Sequence, residues 1–252
     1  MIAAAQMAEA AGFHTVWTYD HISGVALGGG RCLEVWTMLG ALAGATKRVH
    51  LGPLVINVPL RHPAHIAQAA ATLQELSGGR LVLGLGAGAG PESKFSDEQK
   101  MVGLRPFDAA QRRRRVEEAA GFIRALWCGD DQFDGVEYRF DTPVGIIRPA
   151  VVPPIVVGAN GPKMAAVAGR VADAVSLHDW QATLPELIAI TKAAADTANR
   201  PHPRIMVDGP CTAEWLDADS SVRRRLDRLS VDHVIARWSA SLGLDILATC
   251  VG

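Results

Sequence analysis

The chain has 252 residues, of which 49% are hydrophobic and 20% charged, with a formal net charge of −1. That length fits one large α/β domain or two small ones, and the charge balance gives no reason to expect nucleic acid or an anionic membrane as a partner. Cys32, Cys128, Cys211 and Cys250 are scattered, without a CxxC pair or a histidine at ligand spacing, which argues for a reduced, cytoplasmic protein with no metal site.

The opening segment MIAAAQMAEAAGF carries Glu9 and has no basic leader, so residues 2–11 read as an amphipathic helix and not a signal peptide. No uninterrupted apolar segment is long enough to cross a bilayer, so the protein reads as soluble. His14 to Tyr19 is rich in β-branched and aromatic residues, reads as a strand and runs straight into Asp20-His21. A glycine-bearing loop follows, then a helix over about 34–45. Next comes VHLGPLVINVPLRHPAHIAQAAATLQELSGGRLVLGLGAGAG. It holds an apolar run from Val49 to Val58, a helix opened by Pro63 and closed by Ser77-Gly78-Gly79, and a second run from Leu81 to Gly86. Continuous apolar runs predict strands buried on both faces, and a strand-helix-strand unit predicts parallel strands with a right-handed crossover.

The loop PESKFSDEQKMVGLRPFD after Gly90 is long for a compact α/β domain and reads as a lid or binding loop. A charged helix spans about 109–127. Its Arg112–Arg115 run reads as a solvated or subunit-contact face, because Glu117 and Glu118 follow Arg113 and Arg114 by four residues. A short hairpin is expected near Gln132–Phe133 and Tyr138–Phe140. Ile155 to Val157, Ala172 to Leu177, Arg204 to Val207 and His233 to Ala236 complete the strands. Helices over 162–170, 184–197 and the arginine-rich 221–229 separate them. This alternation suggests a (β/α)8 barrel or a doubly wound open sheet, and the pattern alone does not choose. No linker interrupts it, so residues 1–252 read as a single domain.

In either architecture ligands meet the carboxyl ends of the strands. His21 lies at such an end beside Asp20, and an imidazole titrates near neutral pH; a histidine that only satisfies a buried network is the alternative. His178-Asp179 occupies a similar position, but Trp180 and Gln181 add no signature and a structural role is favoured. His62 and His65 open a helix and read as surface or capping residues. GLGAGAG is not a GxGxxG fingerprint, yet it would let backbone approach a flat ligand. Gly158-Ala159-Asn160-Gly161-Pro162 joins a strand to a helix, where backbone N–H groups and the helix dipole make a phosphate seat.

The stretches AEAAGFHTVWTYDH, LEVWTMLGALAGATKRVHLGPLV, PLRHPAHIAQAAATLQELSGGRLVLGLGAG and PPIVVGANGPKMAAVAGRVADAV resemble the bacterial-luciferase-like family of flavin- and deazaflavin-dependent oxidoreductases. The resemblance implies a (β/α)8 TIM barrel, here without the strand with which relatives begin. One branch of the family uses reduced FMN, often for oxygenation and with a separate flavin reductase. The other uses the deazaflavin coenzyme F-420 for hydride transfer. GANGPKMAAVAGRVADAV is closer to the F-420 branch, so the expected activity is hydride transfer between F-420 and a small organic substrate. An FMN-dependent monooxygenase and a non-catalytic truncated relative are the alternatives.

Carried over by matching positions, His21 is the acid/base or substrate-positioning group and Asp20 orients it. Leu54-Val55 falls where relatives often have a cis non-prolyl peptide bracing the ring. Asn57, Ala87 and Gly88 line the cofactor, while Ala159, Asn160, Gly161 and Pro162 take its phosphate. Some deazaflavin enzymes have an acid after the glycine run and an aromatic after the Asp-His pair; Ala89 and Val25 stand there in this chain. Relatives pair through barrel helices, and an open barrel exposes strand edges, so a homodimer is expected.

Overall fold

The computed structural model describes residues 1–180 and 182–248; Gln181 and Cys250 lie outside the described residues. In chain order it contains α1 (Ile2–Ala10), β1 (Thr15–Thr18), α2 (Val35–Ala45), β2 (His50–Pro53), β3 (Ile56–Asn57), α3 (Pro63–Leu76) and β4 (Leu83–Gly86). Then follow α4 (Asp97–Met101), α5 (Ala109–Cys128), β5 (Gln132–Asp134), β6 (Arg139–Asp141), β7 (Ile155–Gly158) and α6 (Pro162–Val171). The last elements are β8 (Ala174–His178), α7 (Leu184–Thr197), β9 (Arg204–Pro210), α8 (Ala213–Leu216), α9 (Ser221–Arg228), β10 (His233–Arg237) and α10 (Asp245–Ala248). The expected elements are therefore present, with one informative difference. The apolar run from Val49 to Val58 is not one strand: it divides into β2 and β3 around a cis Leu54–Val55 peptide bond.

The chain forms two compact units. One comprises Trp17–Gly44 and Leu51–Ile155; the other comprises Met1–Val16, Ala45–His50 and the described chain from Val156. In the first, which we call the His21 unit, β3 and β4 run parallel with Ile56 opposite Leu85. Leu39, Leu42, Ile56, Ile66, Leu83, Leu85, Phe122 and Ile123 are almost wholly excluded from solvent. Each such side chain contributes about 1.5–3 kcal/mol of transfer free energy. The Trp127 indole N–H donates to the Ala67 carbonyl at 3.2 Å, tying α5 to α3. Gln74 is buried and satisfied at both ends, donating to Val151 O at 2.8 Å and accepting from Leu81 N–H at 2.9 Å. A buried amide in this state fixes register without an unpaired-group penalty. The hairpin pairs β5 with β6 antiparallel, Phe133 opposite Phe140.

The second, the His178 unit, has β7, β8, β9 and β10 as successive parallel neighbours. Val157 lies opposite Val175, His178 opposite Asp208, and Asp208 opposite Ile235. All four strands end toward one side, as βαβ connections of one hand require. α6 and α7 pack closely because Gly169 has no side chain: a Cβ there would lie 2.2 Å from Thr191 O and 2.8 Å from Ala194 Cβ. Glu9 at the end of α1 accepts backbone N–H bonds from Lys47, Arg48 and Val49 at 2.8–3.2 Å. These bonds lower its carboxyl to about 2.

Candidate active site

β1 delivers Asp20 and His21 past its carboxyl end. The two side chains diverge, because consecutive residues of extended backbone point to opposite faces. Asp20 is buried and accepts from the Asn57 backbone N–H at 2.9 Å. It also takes a two-pronged contact from Arg61, at 3.0 Å from Nε and 2.8 Å from Nη2. The hydrogen bond to Asp20 is the main reason that the Arg61 guanidinium is held above its ordinary pKa. Arg61 also reaches Glu34 at 3.1 Å. The reading in which Asp20 orients His21 is thus corrected: Asp20 ties β1 to β3 and to Arg61.

His21 faces a different acid. Its Nδ1 lies 3.0 Å from Oε2 of Glu98, while Oε1 of the same carboxylate accepts the Ser23 backbone N–H at 2.9 Å. Glu98 sits on the short helix α4 and is 4% exposed, with Gln99 at 1% beside it. The segment after Gly90 is therefore a folded insertion that carries polar groups inward. With Nδ1–H donated to a carboxylate, neutral imidazole keeps its lone pair on Nε2. Nε2 has no protein partner among the described residues and is the atom available to a ligand. Phe95 packs near the ring, its centroid 5.6 Å from that of His21.

The glycine run closes on the same region. Gly88 adopts φ +60°, and a Cβ there would come within 2.5 Å of Asn57 Oδ1 and 3.1 Å of Gln99 Nε2. A Cβ on Gly86 would lie 2.1 Å from Val55 Cγ2. Gly86 and Gly88 thus let the loop approach the cis Leu54–Val55 segment and the two amides. Arg112 pins the loop by donating to Gly88 O at 3.0 Å, and desolvation pushes its guanidinium pKa down. The solvated-face reading of Arg112–Arg115 is corrected at this point. Arg112 is used here, and Arg115 pairs with Glu137 at 3.0 Å beneath the Phe107 and Tyr138 rings. Glu118 instead accepts backbone N–H groups of residues 136–138.

The chemistry of this region is marked by what is left over. Asn57 Oδ1, both amide atoms of Gln99 and Thr18 Oγ1 are buried without a hydrogen-bond partner. Orphaned buried polar atoms cost about 1–3 kcal/mol each and are rare in folded chains. Their donors and acceptors match the polar edge of a planar heterocycle. The structure brings Val55, Asn57, Gly88 and Asp20 into one connected set, with Gln99 between the glycine loop and Glu98. Ala87 follows β4 directly and lies between Gly86 and Gly88.

The other predicted cofactor residues belong to the His178 unit. Ala159 is buried and donates its N–H to Ser176 O at 2.9 Å. Gly161 is the N-cap of α6 and Pro162 stands in the first turn, with no side chain capping the helix. Pro162 has no N–H and Met164 N–H is bonded to Gly161 O at 3.1 Å, so the Lys163 N–H and the positive end of the helix are what α6 offers an anion. Asn160 is exposed. His62 caps α3, accepting from Ala64 N–H at 3.2 Å. His178 bonds to Asp208, its register partner, while Asp179 pairs with Arg225.

Glu98, Gln99, Thr18 and Arg112 were not reached by sequence reasoning. The one usable signal was the length of the segment after Gly90, which marks a binding loop without saying which of its acids turns inward.

The sequence profile of the luciferase-like monooxygenase family matches residues 1–241. An F-420-dependent glucose-6-phosphate dehydrogenase of Beutenbergia cavernae is 38% identical over 175 residues, covering 69% of this chain and 50% of the relative. A 5,10-methylenetetrahydromethanopterin reductase of Archaeoglobus fulgidus is 31% identical over 238 residues, covering 92% of this chain and 64% of the relative. The chain spans about half the length of the first of these. Among solved structures, an F-420-dependent secondary alcohol dehydrogenase in complex with an F-420–acetone adduct superposes with a TM-score of 0.82 at 20% identity. It covers 100% of this chain and 94% of that one. This likeness identifies the fold as the luciferase-like (β/α)8 barrel.

Proposed function

The chain belongs to the luciferase-like monooxygenase family, and from that premise we propose that it is an F-420-dependent oxidoreductase acting on a small organic substrate. The observation that carries this reading is the group of orphaned buried atoms on Thr18, Asn57 and Gln99, beside Gly88 and close in sequence to the His21–Glu98 pair. Relatives that bear F-420-dependent names support the choice of coenzyme.

When bound, the deazaflavin supplies the hydride chemistry, and the protein binds, orients and excludes water. Leu54, Val55, Ala87 and Gly88 would line its ring system. Asn57 and Gln99 would satisfy its polar edge. Ala159, Asn160, Gly161 and Pro162 would hold its phosphate at the start of α6. Glu98 holds the imidazole by Nδ1, so that Nε2 of His21 accepts a proton from a substrate hydroxyl, or returns one in the reverse direction. Asp20 acts at one remove, fixing the backbone of Asn57. We read residues 1–252 as one domain because the family profile runs through both units. The reading extends to a homodimer in a reducing, cytoplasmic setting; no helix among the described residues is long and apolar enough to cross a membrane.

The test is equilibrium binding of oxidised F-420 and of FMN to the purified protein, side by side, followed by a substrate screen with His21→Ala as control. Tight binding of F-420 alone supports the proposal. Preference for FMN would move the protein to the oxygenating branch and call for oxygen-uptake assays with a flavin reductase. Binding of neither overturns the enzymatic reading.

A further inference from the structure

At the carboxyl ends of β8 to β10 the His178 unit holds a hollow of about 410 Å³. That volume is in the range of small-molecule sites. Trp180, Leu184 and Leu229 give it apolar walls, and Asp179, Arg225 and Arg228 give it charge. Trp180 is 59% exposed, a costly state for an indole. The ring is nevertheless held in place. The His178 ring stacks on it at 4.0 Å between centroids and 12° between planes, and the Arg237 guanidinium lies 4.4 Å from its centroid. His178 and Arg237 are in turn both anchored on Asp208, Arg237 at 3.1 Å. The result is a rigid aromatic wall built from three strand ends, with one edge of the hollow left to it.

The charges are unequally matched. Arg225 is paired with Asp179, and Arg237 with Asp208. Arg228 is exposed and has no ion-pair partner among the described residues. The hollow therefore keeps an excess positive charge from Arg228, on a helix that also carries Arg223, Arg224 and Arg225 against Asp227. A merely solvated basic face would spread its arginines over a convex surface. Here two of them line a concavity with apolar walls, which is how proteins hold an anion carried on an organic body.

We propose that this hollow binds an organic anion, a phosphate or carboxylate on a flat or apolar body. Arg228 and Arg225 take the charge, and Trp180 with Leu184 and Leu229 takes the body. The assignment does not depend on which coenzyme the protein uses. The anion belongs either to the substrate or to a charged part of the coenzyme.

Calorimetric titration with phenyl phosphate, inorganic phosphate and phenol tests this. Phenyl phosphate is expected to bind about tenfold tighter than either of the other two. Arg228→Gln should weaken it about tenfold and abolish its preference over phenol without moving the thermal midpoint, because Arg228 is exposed and unpaired. Trp180→Ala should weaken phenyl phosphate but leave inorganic phosphate unchanged. Equal binding of phenyl phosphate to wild type and both variants, or no binding at all, overturns the proposal. A repeat with saturating F-420 assigns the source: unchanged phenyl phosphate affinity assigns the hollow to the substrate, and competition assigns it to the coenzyme.

Discussion

The two units each place a histidine against a carboxylate at a strand end, and the two pairs are built to different ends. In the His178 unit the network closes on itself. Asp208 receives His178 on one oxygen and Arg237 on the other, and both donors rest on Trp180. In the His21 unit Glu98 also uses both oxygens, on His21 and on the Ser23 N–H, yet the surroundings remain unfinished. Thr18, Asn57 and Gln99 carry buried atoms with nothing to bond. A histidine–carboxylate pair is therefore not a sign of chemistry by itself. The discriminating feature is whether the polar shell around it is complete, since a complete shell rigidifies and an incomplete one waits for a ligand.

The contrast is broken most severely by deleting the imidazoles. His21→Ala is expected to lower the turnover number for F-420-linked substrate oxidation by about 10²–10⁴-fold, the usual worth of a positioned acid/base. His178→Gln should leave that number within about threefold while lowering stability by about 1–3 kcal/mol through the loss of a bond to buried Asp208. Comparable losses of turnover in both variants would erase the distinction. Glu98→Gln should lower the turnover number by less than His21→Ala does, because an amide oxygen still accepts from His21 Nδ1 but without the strength of a charged acceptor.

Gly88→Ala comes next. The new Cβ meets Asn57 Oδ1 in a left-handed backbone conformation, which should cost about 1–3 kcal/mol in chemical denaturation and weaken coenzyme binding. Gln99→Leu sharpens the comparison by moving two readouts in opposite directions. Replacing an unsatisfied buried amide with an apolar side chain should leave the ligand-free protein as stable or more so, while the coenzyme dissociation constant rises about tenfold. Lower stability with unchanged affinity would mean that the orphaned atoms serve no ligand.

The smallest expected effect lies at the other end of the His178 unit, where His14 stacks on His50 at 4.6 Å and approaches His233 at 5.2 Å. Burial, followed by the charges of neighbouring groups, lowers the pKa of His14 and of His233 below 6.5. Below that value the unfolded chain takes up protons that the folded chain resists. Their contribution to stability is thus fully present above pH 6.5 and is lost as the pH falls through the lowered folded values. Denaturation midpoints measured from pH 7.5 to 5 should decline, and His14→Phe should flatten the decline. An equal slope in the variant would assign it elsewhere.

Much of this was legible from residues alone where the signal is local. Pro63 and Ser77-Gly78-Gly79 bound α3 because one favours a first turn and the others end a helix. The strand ending at His21 and the turn at Gly158–Pro162 could be read the same way. The Leu54–Val55 position came from family likeness; no rule of composition points to a cis bond there. What could not be read depends on contacts distant in sequence. Glu98 is 77 residues from His21, and only the fold of α4 selects it over Glu92 or Asp97. Asp20 looked like the partner of His21 because it is adjacent, and adjacency in extended backbone separates side chains. The pairing of His178 with Asp208 follows from strand register, which a single sequence does not record. Arg112 reads as solvated because glutamates follow the arginine run at helical spacing, whereas its partner Gly88 O is 24 residues away in sequence.

The orphaned amides also bear on how long the protein survives. A ligand that satisfies them binds the folded chain and not the unfolded one, so occupancy itself stabilises the fold, by about 2.7 kcal/mol when the ligand stands at a hundred times its dissociation constant. The population of open, protease-susceptible molecules then falls by roughly a hundredfold. A supply of that ligand would thus lengthen the lifetime of this chain, and its depletion would shorten it.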